Sequence, residues 1–151
     1  MTTTHILRMA FAAVLASASF AQAREFRSAD VHPPDYPTTM AVAYMGKLLG
    51  ERTNGRLGVK VYPNGALGTE KDNVEQLRIG ALDMMRINVA PLNSVVPETI
   101  VTGLPFVFRS TEHMRKVLDG PIGDDILKSM ESQGLVGLAF YDSGARSFYS
   151  K

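Results

Sequence analysis

The chain has 151 residues, 45% of them hydrophobic and 21% charged. That is long enough for one hydrophobic core and has an ordinary globular balance, which excludes disordered and fibrous classes. With no cysteine and a formal net charge of +1, it also excludes disulfide staples, thiolate chemistry and a basic footprint for nucleic acid.

Residues 1–23 carry one arginine near the start, then a run of apolar and small residues from Met9 to Phe20 that closes on Ala21-Gln22-Ala23. This is the pattern of a cleaved secretory signal. A membrane anchor would need roughly 20 apolar residues, and this run has about a dozen. Loss of Arg8 with the signal leaves 15 basic and 15 acidic residues. The mature chain is therefore expected to be exported and neutral, with no nucleic-acid partner and no membrane insertion.

REFRSADV (24–31) alternates as a strand, with Phe26, Ser28 and Asp30 on one face. HPPDYP follows as a loop that its prolines keep out of helix. From Thr38 or Thr39 to about Thr53, Ala41, Tyr44, Met45, Leu48 and Leu49 recur at helical spacing, and Asn54-Gly55 ends the run. LGVKVYP (57–63) is a short strand, and NGALG turns the chain. Thr69 is placed to cap a helix whose first turn holds acidic side chains, which carries Val74, Leu77 and Arg78 and stops near Gly80. ALDMMRINV predicts a largely apolar central strand. An irregular stretch rich in proline leads to a helix capped by Ser110 or Thr111. Gly120-Pro121 breaks or kinks that helix, and Ile122, Ile126, Leu127 and Met130 continue its apolar face. GLVGLAFY (134–141) predicts a last strand.

Strand and helix alternate throughout, so the expected fold is α/β, with a mostly parallel sheet flanked by helices. In such sheets ligands bind beyond the carboxyl ends of the strands. Those ends lead into HPPDYP, NGALGTE, NVAPLNS and DSGARS, and the mouth of the sheet is the place for a ligand. Chemistry is sparse there. Once the signal is removed, His32 and His113 are the remaining histidines, far apart in sequence, so no metal-ligand spacing is present. There is no nucleophile elbow and no phosphate loop. The sequence predicts no catalytic residue, metal or cofactor.

YPNGALGTEKDNVEQLRIGALDM (62–84) and the stretch from Gly103 to Ser150 resemble, in motif and order, the solute-binding proteins of tripartite ATP-independent periplasmic (TRAP) transporters, the DctP family. The likeness runs through essentially the whole mature chain. It implies a periplasmic-binding-protein-like lobe over 24–141, with 142–151 beginning the crossover toward a second lobe that is absent. It implies the capture of a small organic acid in the periplasm, delivery to the TRAP membrane permease, and no catalysis.

The resemblance further implies that Arg146 faces the cleft, where a guanidinium suits a carboxylate through two parallel hydrogen bonds. Its residue pattern alone leaves open a surface arginine at a strand end. His32 and Tyr36 in the first loop, Glu70 at a helix start and Asn88 at the end of the third strand complete the expected ligand-binding set. Helix capping accounts equally well for Glu70. A truncated, non-functional product and a small periplasmic hydrolase are the rival readings.

Overall fold

The structure is a computed structural model, and residues 23–144 and 149–150 are described below. The expected signal at 1–23 and Arg146 lie outside these residues, apart from Ala23.

Three strands form one parallel sheet in the order β2-β1-β3: β1 (Arg24–Ala29), β2 (Leu57–Tyr62) and β3 (Met84–Met85). β1 pairs with β2 along its full length, from Arg24 opposite Leu57 to Ala29 opposite Tyr62. It pairs with β3 only at Ser28–Met84 and Ala29–Met85. Ser28 and Ala29 point to opposite faces of the central strand, and both are 1% exposed, so each face is covered.

Helix α1 (Pro37–Arg52) begins on a proline, whose fixed φ suits the first helical position. It ends where Asn54 (φ 51°) and Gly55 (φ 75°) turn left-handed. The face it buries is Thr38, Thr39, Val42 and Gly46. This corrects the predicted face, because Tyr44 is 59% exposed. The helix crosses β2 so closely that a side-chain carbon on Gly46 would meet Val59 Cβ at 2.9 Å. The approach of the backbone, rather than the largest apolar side chains, sets how α1 rolls onto the sheet.

Helix α2 (Glu70–Arg78) starts as predicted at Thr69, in a reciprocal capping box. Asp72 N–H donates to Thr69 Oγ1 at 3.3 Å, and Thr69 N–H donates to Asp72 Oδ2 at 3.0 Å. The Thr69 hydroxyl, which donates to Asp72 Oδ2 at 2.7 Å, and then the Thr69 N–H hold the Asp72 carboxyl below its ordinary pKa. Gly80 (φ 73°) follows the helix.

The predicted third strand is much shorter than its apolar run. Ladder-type bonds continue one residue to each side, Asp83 N–H to Arg27 O and Arg86 N–H to Ala29 O. The chain then leaves β1, because Asn88 already stands at the N-cap of α3 (Val89–Leu92). The stretch read as irregular holds α3 and a 3-10 helix, Pro97–Gly103. α4 (Thr111–Leu118) is capped by Ser110, whose Oγ accepts from His113 N–H. After the break at Gly120, α5 (Pro121–Ser129) buries Gly123 and Ile126 but leaves Ile122 58% exposed, contrary to the predicted face. A short 3-10 helix, Met130–Gln133, completes the layer.

GLVGLAFY is not a strand. Residues 135–140 have no ladder partner among the described residues, and Val136 and Leu138 are 73% and 68% exposed. Only Leu135 enters the main core with Val74, Leu92, Val96 and Met130, against which Leu77, Met85, Ile87 and Leu127 pack. An apolar run makes a strand only when another strand offers its N–H and C=O groups. Among the described residues no helix is long and apolar enough to cross a membrane.

Candidate functional site

At the carboxyl end of β1 the next residue, Asp30, is 1% exposed and charged. A carboxylate so buried needs partners. Its Oδ2 accepts from the Thr39 hydroxyl of α1 at 2.9 Å. Its Oδ1 accepts from His32 N–H at 3.0 Å and from Arg86 Nε and Nη2 at 3.2 and 3.1 Å. Arg86 comes from the residues just after β3, and its side chain is 4% exposed. Two strand ends that are neighbours in the sheet thus exchange a buried ion pair.

Arg86 reaches further. Nη1 donates to Asn88 Oδ1 at 3.3 Å and lies 3.8 Å from Glu70 Oε1, and Nη2 lies 3.2 Å from His32 Nε2. Glu70 Oε1 accepts from Asn88 N–H at 2.7 Å and from Asn88 Nδ2 at 2.9 Å. Thr69 and Asp72 already cap α2, so Glu70 is spared that task and extends across the mouth of the sheet. Asn88, although at an N-cap position, makes no side-chain cap bond and turns to Glu70 and Arg86 instead. His32 and Tyr36 stack with ring centroids 4.1 Å apart.

The structure therefore brings four of the five predicted residues, His32, Tyr36, Glu70 and Asn88, to one cluster, while Arg146 lies outside the described residues. Sequence reasoning missed Arg86, the hub of that cluster. The available signal was an arginine interrupting an otherwise apolar stretch, since a buried arginine demands built partners.

The turn after β2 braces the cluster from below. Asn64 N–H donates to His32 O at 2.8 Å, and Gly65 N–H donates to Asp30 O at 3.0 Å. Both residues have positive φ, 57° and 65°, which Asn and Gly tolerate. A separate open pocket of about 360 Å³ is lined by Pro37 and Thr38 at the start of α1, by Met114 and Arg115 of α4, and by Tyr141 and Asp142. Arg115 closes on Asp142 there at 3.1 Å. The Asp142 carboxyl is held below its ordinary pKa, chiefly by the Gly144 N–H and then by Arg115.

Two carboxylates, Asp30 and Glu70, surround one guanidinium, so the cluster is acceptor-rich. Each nitrogen of Arg86 already faces an internal acceptor. Glu70 Oε2 has no partner among the described residues. Such a site accepts hydrogen bonds from hydroxyl groups, and a ligand carboxylate needs its cation elsewhere. Among the described residues no three His, Asp or Glu side chains come together to hold a metal ion.

A sequence model of the bacterial extracellular solute-binding proteins, family 7 (DctP), matches residues 28–151. A TRAP periplasmic solute-binding protein from Bradyrhizobium sp. BTAi1, crystallised with α/β-D-galacturonate, is 71% identical with a TM-score of 0.79 over 81% of this chain and 41% of its own. Another from Xanthobacter autotrophicus Py2, with bound β-D-galacturonate, is 60% identical with a TM-score of 0.81 over 82% of this chain and 42% of its own. A solute-binding protein of Chromohalobacter salexigens is 40% identical over 86% of this chain and 39% of its own length. The chain thus spans about two fifths of the length of these relatives.

Proposed function

Since the chain belongs to family 7 of the bacterial extracellular solute-binding proteins, we propose that it is the N-terminal lobe of a periplasmic TRAP solute-binding component that captures a hexuronate, a sugar acid such as galacturonate. The observation that carries this reading is the 71% identity to a relative crystallised with that sugar acid. The chemistry of the mouth supports it. Glu70 Oε2 accepts from sugar hydroxyls, the remaining N–H of Asn88 and the Tyr36 hydroxyl add polar contacts, and the His32–Tyr36 stack forms a wall. Arg146 takes the carboxylate. Residues 1–23 direct export to the periplasm, the ligand passes to the TRAP membrane permease, and no bond in it is made or broken. Residues 24–141 form the lobe and 142–151 begin the crossover.

Thermal melting of the purified chain against D-galacturonate, D-glucuronate and succinate tests the proposal. Ligand at a hundredfold excess over Kd stabilises by about 2.7 kcal/mol. A rise in Tm with the uronates and none with succinate is expected, and Arg146→Ala is expected to weaken binding at least about tenfold, the loss of one charged hydrogen-bonding partner. A cooperative melt that no acid shifts means that this lobe by itself does not capture the ligand.

A further inference from the structure

His32 sits between two charged groups, each of which has one hydrogen-bonding capability. Asp30 Oδ1, 3.1 Å from Nδ1, can only accept; Arg86 Nη2, 3.2 Å from Nε2, can only donate. A single imidazole form satisfies both, with its proton on Nδ1 and a lone pair on Nε2. The other neutral tautomer would set a lone pair against a carboxylate oxygen and one N–H against another. An imidazolium would turn a second positive charge toward Arg86.

Arg86 needs this neighbour. Its Nε and Nη2 share one oxygen, Asp30 Oδ1, while Oδ2 takes the Thr39 hydroxyl. A guanidinium held on one oxygen lacks the two-point fork that fixes its plane, and it can pivot about that atom. His32 Nε2 and Asn88 Oδ1 supply the further points. Tyr36 stacks on the imidazole, and Glu70 stands 3.8 Å beyond Arg86 Nη1.

We infer that His32 is a neutral, Nδ1-protonated positioning residue that locks the plane of Arg86, and through it the Glu70–Asn88 pair. Its ring nitrogens are spent inside the protein and do not contact the ligand. The consequence for ligand affinity rests on the hexuronate reading; the lock itself does not.

Long-range proton–nitrogen NMR of the whole chain at neutral pH reads the ring directly. The expected pattern is a protonated Nδ1 and an unprotonated Nε2, assigned by its loss in His32→Gln and its retention in His113→Gln. The Arg86 Hε resonance reads the lock. Its exchange with water should stay slow in wild type and in His32→Gln, whose amide oxygen can replace the Nε2 acceptor, and quicken about tenfold or more in His32→Phe. An Nε2-protonated ring, an imidazolium, or an Arg86 exchange rate unmoved by His32→Phe overturns the inference. If His32→Phe does not fold, the wild-type ring pattern and the His32→Gln exchange rate decide it. With D-galacturonate as probe, His32→Phe, which keeps a ring against Tyr36 but has no ring nitrogen for Arg86, should lose about tenfold in affinity. A wild-type chain that ignores galacturonate speaks only to ligand capture by this lobe, and the NMR readouts still judge the lock.

Discussion

Around Arg86, the side chains of Asp30, His32, Thr39, Glu70 and Asn88 give nearly every buried polar atom a partner, whereas residues 135–141 hold no regular structure, with Val136 and Leu138 in solvent and no strand beside them among the described residues. The first region is closed by hydrogen bonds and charge between strand ends that the sheet makes neighbours. The second has only a hydrophobic pattern. Burial of apolar surface draws Leu135 into the core, and among the described residues no strand pairs with the backbone that follows. The contrast shows which part of the molecule is held by specific geometry and which by apolar contact alone.

The strongest way to break the cluster is to remove its hub. Arg86→Met leaves Asp30 buried without its cation, and loss of one partner of a buried pair costs about 3–5 kcal/mol. Urea denaturation followed by circular dichroism should show this, and a loss under 1 kcal/mol would mean that the pair is open to water. The extended segment should divide sharply within itself. Leu135→Ala removes a core side chain at a cost of about 2–5 kcal/mol. Leu138→Ala, at an exposed position, should stay within about 0.5 kcal/mol. Equal effects in the two variants would show that Leu138 is buried in solution. Thr69→Ala removes the α2 cap and should cost about 0.5–2 kcal/mol. That effect should be smaller than Arg86→Met although both lie near Glu70.

The smallest expected effect is electrostatic. Asp83 ties β1 to β3: it accepts from Arg27 N–H at 2.9 Å and pairs with Arg27 and Arg24. The Arg27 N–H is the main cause that holds its carboxyl below the ordinary pKa, with the two guanidinium groups adding to it. A lowered folded pKa means that the unfolded chain binds the proton first. The contribution is therefore complete above the unfolded value of about 3.9 and is lost as pH falls through the lower folded value. Asp83→Asn should flatten the acid limb of the Tm-against-pH profile in that window and leave it unchanged near neutrality. An acid limb identical to wild type would remove Asp83 from the account.

Local chemistry was legible wherever neighbours in sequence decide the outcome. Thr69 with Asp72 and the acidic first turn marked the start of α2, Asn54-Gly55 marked the end of α1, and Ser110 marked the start of α4. The mouth of the sheet followed from alternation and from the rule that ligands lie beyond strand ends, whereas His32, Tyr36, Glu70 and Asn88 were expected there with the family resemblance. Arg86 did not, because its role depends on Asp30, 56 positions earlier. The choice between capping and site for Glu70 stayed open in sequence for the same reason. The Glu70 hydrogen bonds to Asn88, 18 positions later, are visible only in the structure.

The sequence by itself determined the α/β class, the parallel order of strand and helix, the caps and turns, and the kinship of the chain. These rest on propensity, periodicity and motif order, which act within a few residues or repeat along the chain. The tertiary structure decided that β3 is two residues long, that 135–140 is no strand, which face of α1 meets the sheet, and that His32, Glu70 and Asn88 are organised by a buried arginine. Each of those depends on what lies opposite in space. A ladder, a close backbone approach or a buried ion pair exists only when both partners are brought within reach.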